Sequence, residues 1–241
     1  MSRWNIAAAQ YAPRHNCVDE HVKHHLHFIA EAAGHGCDLI VFPELSLTGP
    51  VGTTLPPPPD DLQLAPLLHA AQSRFITVIA GITLQQHGQR QKGLALFTPN
   101  LSTIRRYPQG NGAGVIPGDK RLTIVDNQAD APELDPEATL FTSSLAVGEH
   151  RWRQSIGSLQ RFAHKYAIAV LMANARGGSA LWDEKGQLLG VRRGQCADFT
   201  GGDLHVLGFN RALHVGGHQR VRRQLRRVEP DAHRVFRAEH L

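Results

Sequence analysis

A chain of 241 residues with 41% hydrophobic and 20% charged residues can bury one sizeable core, and nothing in it points to a second domain of comparable size. The formal net charge of +5 sits at the end, because residues 211–241 hold eight Arg against three acidic residues while residues 1–210 balance 18 basic with 18 acidic. The first ten residues lack the apolar run of a signal peptide, and no stretch approaches the roughly 20 apolar residues of a membrane span, so a soluble, cytoplasmic protein is expected.

Residues 4–10, Trp-Asn-Ile-Ala-Ala-Ala-Gln, read as a buried strand, and Asp19 offers an N-cap for a helix carrying Val22, Leu26, Ile29 and Ala33 at helical spacing. Gly34 and Gly36 end that helix. Residues 37–42, Cys-Asp-Leu-Ile-Val-Phe, form a nearly all-apolar run, the mark of a strand covered on both faces, and it stops at Pro43-Glu44. Four prolines, Pro56 to Pro59, make a stiff connection to a second helix with Leu64, Leu67, Leu68, Ala71 and Phe75 on one face. Residues 75–82 read as the next buried strand, residues 93–97 and 103–107 as two strands joined around Pro99-Asn100, and residues 110–118 as loop.

Further on, Ile156, Leu159, Phe162, Ala163 and Tyr166 give a helix over residues 151–166, and residues 167–174 a buried strand. Ala180-Leu-Trp-Asp and Gln187-Leu-Leu-Gly-Val flank Glu184-Lys-Gly, a hairpin signal, and residues 203–208 supply a last strand. Strands alternating with helices predict an α/β domain with sheet inside and helices outside.

Three cysteines, Cys17, Cys37 and Cys196, form an odd number without CxxC spacing, which argues against a disulfide framework and a zinc site. They read as small buried hydrophobes. Fifteen histidines include a cluster over residues 22–27, but no carboxylate pattern of a metal motif accompanies it, and neither metal nor cofactor is expected.

Phe42-Pro43-Glu44-Leu45 at the end of a buried strand, followed by Leu47-Thr48-Gly49, resembles the segment that carries the catalytic glutamate in the nitrilase, or carbon-nitrogen hydrolase, family. The Ala-Ala-x-Gln strand at residues 7–10, Ala-Val-Leu-Met-Ala-Asn ending at Asn174, and Gly-Gly-Ser-Ala-Leu-Trp ending at Trp182 follow in that family's order, so the resemblance spans most of residues 4–208. It implies a four-layer αββα sandwich, a homodimer, a small-molecule amide ligand and a Glu-Lys-Cys triad. In that triad a thiolate attacks, the glutamate moves protons and the lysine stabilises charge.

Mapped onto this chain, the resemblance makes Glu44 the ancestral general base. The lysine position falls on Gln109, two residues after Tyr107. Lys120 remains as a doubtful substitute, since Pro117-Gly118-Asp119 before it resembles a turn downstream of the family's lysine, which makes it a solvated loop residue. Lys92 is a poorer choice still, on the far side of a predicted strand. The nucleophile is absent: residues 122–133 contain no cysteine, and Val125, Gln128 or a deletion stands in its place. Asp126 or Ser143 has no activating base that the sequence identifies.

Residues 1–210 are therefore read as a nitrilase-like domain and 211–241 as a basic, poorly ordered tail. Nucleic-acid binding by the tail is not expected, because no aromatic or base-reading motif accompanies its arginines. The expected function is that of a family amidase whose activity is weak or lost. The alternatives are a working amidohydrolase with a rearranged nucleophile, and a non-catalytic binding or assembly protein on the same fold.

Overall fold

Strands that are apolar at nearly every position must be covered on both faces, and this chain builds two such sheets. The computed structural model describes residues 5–15, 17–109, 114–116, 119–124, 138–191 and 203–207. In chain order the first half runs β1 (Ile6–Gln10), α1 (Val18–Gly34), β2 (Leu39–Val41), α2 (Asp61–Ser73), β3 (Thr77–Gln86), β4 (Gln89–Phe97) and β5 (Arg105–Pro108). The second runs β6 (Gly114–Ile116), β7 (Asp119–Ile124), β8 (Leu140–Leu145), α3 (Glu149–Tyr166), β9 (Ala169–Asn174), β10 (Ala180–Trp182), β11 (Leu188–Val191) and β12 (Asp203–Leu207).

One sheet has the order β12-β1-β2-β3-β4-β5 and the other β11-β10-β9-β8-β7-β6. Each has three parallel strands at its centre, β1–β3 and β7–β9, flanked by antiparallel ones. Alternation along each strand sorts its side chains into layers. Ile6, Ala8, Leu39, Val41, Leu94 and Leu96 face inward and pack on Leu140, Leu171, Ala173 and Leu181 of the second sheet. The opposite faces pack under α1 and α2 through Ala7, Ile40 and Val78, and under α3 through Phe141, Val170 and Trp182. This is the αββα sandwich that the family resemblance implies. None of the described helices is long and apolar enough to cross a membrane.

Several local expectations are corrected. Helix α1 begins at Val18 with Cys17 as N-cap and no side-chain cap, so Asp19 lies in the first turn, where its charge still suits the helix dipole. Its buried stripe is His21, Val22, His25, Phe28, Ile29 and Ala32, turned from the predicted face because histidines occupy core positions. Phe75 is 80% exposed and outside α2, since its backbone takes φ +53 at the turn into β3. Within the predicted loop 110–118, residues 114–116 form β6, paired with β7. Lys120 belongs to β7, a strand and not a loop.

Helix α2 carries an N-terminal device that the sequence reading missed. The Asp60 carboxylate accepts from the Gln63 amide at 2.8 Å, and the Gln63 side chain accepts from the Asp60 amide at 3.3 Å. This capping box satisfies two backbone donors. Asp60→Ala is expected to cost about 1 kcal/mol of stability in urea denaturation without altering the denaturant slope.

Candidate active site

The chain leaves β2 at Val41 and turns sharply, which brings Glu44 to the carboxyl end of the central parallel strands. Leu45 adopts φ +53, a conformation that costs a non-glycine residue about 1 kcal/mol or more, so surrounding contacts must hold it. They are present on both sides. The Phe42 amide donates to the Ile79 carbonyl at 2.8 Å and the Leu47 amide to the Gly81 carbonyl at 3.0 Å, which pins the turn to β3. Ser144, near the end of β8, donates from its hydroxyl to the Phe42 carbonyl at 2.7 Å and ties the turn to the second sheet. Gly81 is what allows so close an approach: a Cβ there would lie under 3.0 Å from backbone atoms of Pro43, Glu44 and Leu45.

Two side chains converge on the carboxylate. Lys92 places its Nζ 2.7 Å from Glu44 Oε1, and Gln109 donates from Nε2 to Oε2 at 3.2 Å. The Glu44 side chain is 15% exposed and that of Lys92 42%. A pair this exposed contributes little to stability, about 0–1 kcal/mol. Its significance is chemical: a carboxylate acceptor, an ammonium donor and an amide side chain meet where two sheets face each other.

The approach of Lys92 corrects the sequence reading, and its physical reason is strand parity. Residues His87 and Gly88, with φ +50 and +77, form a two-residue turn that runs β4 back to Gln89, well before the predicted start at residue 93. Leu96, Leu94 and Lys92 then lie two apart on the inner face. Across the β4–β5 ladder, Gly93 pairs with Pro108, and the Gln109 amide donates to the Lys92 carbonyl at 2.9 Å. Lys92 and Gln109 are thus facing neighbours. On the other side, Lys92 pairs with Thr83 of β3, whose hydroxyl donates at 3.3 Å to Thr48 in the Glu44 loop. The signal that could have found Lys92 was the Leu-x-Leu alternation extended two residues backward.

Glu44 is thus brought together with Lys92 and with Gln109. Ser143 is a buried residue of β8, beside Ser144. Val125, Asp126, Gln128, Cys196 and the tail at 211–241 lie outside the described residues. Cys17 is exposed at the start of α1, and Cys37 precedes β2, at the strand end opposite Glu44. Burial, with Asp38 adding to it, pushes the Cys37 thiol up to about 12, so it stays protonated at neutral pH. No group of three or more His, Cys, Asp or Glu among the described residues can hold a metal ion.

Residues 5–109, which include Glu44, Lys92 and Gln109, match the family model for carbon-nitrogen hydrolase. The fold is similar to that of a double mutant of the amidase from Nesterenkonia sp. AN1 in complex with acrylamide, at TM-score 0.68 and 19% identity over 85% of this chain and 89% of that one. A single mutant of the same amidase in complex with butyramide matches at TM-score 0.66 and 19% identity, over 85% and 91%. A carbon-nitrogen hydrolase superfamily protein from Xanthomonas campestris, with an arsenic adduct in its active site, matches at TM-score 0.68 and 15% identity, over 86% and 91%.

Proposed function

We propose that the chain, whose residues 5–109 match the carbon-nitrogen hydrolase family model, is a member of that family whose pocket binds a small neutral amide without cleaving it through a thioester. The observation that carries this reading is the convergence of Lys92, at 2.7 Å, and Gln109, at 3.2 Å, on Glu44. A primary amide offers N–H donors to a carboxylate and a carbonyl oxygen to an ammonium, and the cluster presents both partners side by side. Because the two protein charges balance, a neutral ligand enters without leaving a buried charge unpaired. The Nesterenkonia amidase mutants in complex with acrylamide and butyramide support the ligand class.

The second half of the reading is the missing thiol. The sequence holds no cysteine between Cys37 and Cys196, so none stands in the segment that resembles the family's nucleophile strand and elbow. Glu44 and Lys92 can polarise an amide carbonyl, and among the described residues no cysteine stands beside them to form an acyl-enzyme.

Saturation-transfer NMR with butyramide tests the binding. Wild type is expected to show transfer to the ligand methyl group, and Lys92→Ala to lose at least tenfold in affinity, the weight of one charge-assisted hydrogen bond. Equal affinity in wild type and Lys92→Ala would remove the lysine from the site.

A further inference from the structure

We propose that His21 and His25 of α1 are positioning residues for Glu44, clasping its loop as neutral imidazoles and releasing it when either takes up a proton. The inference rests on the reading of Glu44 as the site carboxylate. It adds a device that no residue of the pocket itself supplies.

The geometry carries the clasp. His21 and His25 lie four residues apart on one face of α1, and both are fully buried. His21 donates from Nδ1 to the Leu47 carbonyl at 2.9 Å, and His25 donates from Nδ1 to the His21 carbonyl at 2.7 Å. A carbonyl can only accept, so both rings carry their proton on Nδ1. The lone pair of His25 Nε2 is then left to accept from the Ser46 hydroxyl, 3.0 Å away. The Phe42 ring stacks on His25 with centroids 4.0 Å apart. Phe42, Ser46 and Leu47 bracket Glu44 on both sides, and all three are held by these two side chains.

The surroundings favour the neutral form. Tyr11 meets both rings edge-on and shares a hydrogen bond with His24 Nδ1 at 2.9 Å. His15 stacks on His21 with centroids 5.2 Å apart and pairs with Glu20 at 2.8 Å. The titratable groups facing the clasp are therefore Tyr11, His15, His24 and Glu20, and the carboxylate among them is already engaged with His15. His21 Nε2 is buried with no partner among the described residues, so a proton there would meet no acceptor. Burial accordingly holds His25 down at about 3 and His21 below the ordinary imidazole range.

The sign follows from linkage. A histidine whose folded pKa is depressed stabilises the closed loop fully above its exposed value near 6.5, and that contribution is lost as pH falls below it. Opening exposes the ring to protonation, so the opening constant rises about tenfold per pH unit, about thirtyfold by pH 5 for His25 alone.

Hydrogen exchange of the Phe42, Leu47 and Gly49 amides, corrected for the intrinsic rate, reads this opening directly. Protection is expected to fall about thirtyfold or more between pH 7.5 and 5 while the amides of β9 hold theirs. His25→Gln, which keeps hydrogen-bonding groups but cannot titrate, should flatten much of the step. Should that variant not fold, nitrogen-15 shifts of wild-type His25 serve instead, with a ring that stays neutral at pH 5 expected. Unchanged loop protection across the range, or a His25 that titrates near 6.5 in the folded protein, overturns the clasp. None of these readouts uses ligand or turnover, so a pocket that fails to bind butyramide at pH 7.5 leaves the exchange result standing, and the reverse also holds.

Discussion

Purified protein is expected to hydrolyse simple amides and nitriles no faster than its own Glu44→Ala variant. The reason is one of magnitude. Members of a hydrolytic triad act as a unit, and losing the nucleophile of a comparable triad removes on the order of a millionfold in turnover. Among the described residues, the Glu44 carboxylate meets an ammonium at 2.7 Å and a glutamine at 3.2 Å. Those groups can bind a carbonyl and stabilise some charge, but the thioester that divides amide cleavage into two easier steps needs a thiolate. Among the described cysteines, Cys37 is held protonated by burial and sits beyond the wrong end of β2, and Cys17 caps α1. Alkylating the exposed thiols should therefore leave any residual rate unchanged. A turnover abolished both by alkylation and by Glu44→Ala would falsify this and make the protein a working amidase with an unexpected cysteine.

Gly81→Ala is expected to cost about 3 kcal/mol and to abolish amide binding, although residue 81 touches no ligand. A Cβ at this position would fall under 3.0 Å from the Leu45 nitrogen, the Pro43 oxygen and the Glu44 carbonyl carbon. All three are backbone atoms and cannot swing aside as a side-chain tip can. Either β3 shifts within its ladder or the turn lifts from it, breaking the Leu47-to-Gly81 hydrogen bond and releasing Leu45 from its strained φ. Overpacking of this kind typically costs 1–3 kcal/mol, and the rigidity of both partners places this case at the upper end. Gly52→Ala is the control: nothing lies within 4 Å of its added Cβ, and stability should move by no more than about 0.5 kcal/mol. Denaturant midpoints of the two variants decide the matter, and equal midpoints would show that the Glu44 turn yields where the contacts say it cannot.

Glu44 was legible in the sequence through the resemblance of Phe42-Pro43-Glu44-Leu45, at the end of an all-apolar run, to the family's glutamate segment. The layer order was legible through the same resemblance, whereas strands without a polar face by themselves require only cover on both sides. Lys92 was not, because its position depends on where β4 begins, and that is set by the left-handed pair His87-Gly88 and not by the apolar residues of the strand. Once the hairpin closes, parity alone carries the lysine inward and opposite Gln109. The burial of His21 and His25 in α1 was not legible for a related reason. A polar residue at helical spacing looks like a solvated face, yet His21 and His25 have carbonyl and hydroxyl partners from a loop more than 20 residues away. Burial becomes affordable only when those partners arrive, and their arrival is tertiary. Phe75 failed in the opposite direction, as a large apolar side chain left outside by the backbone turn that precedes β3.

Real-time proton NMR of butyramide with the intact protein reports binding and cleavage in one sample. Saturation transfer to butyramide is expected with wild type and should vanish in Glu44→Ala, with butyrate and ammonia staying at the level of the protein-free sample over days. Butyrate that accumulates with wild type and not with Glu44→Ala would make the protein a working amidase, and a wild-type sample with no transfer at all would show that Glu44 and Lys92 hold no amide.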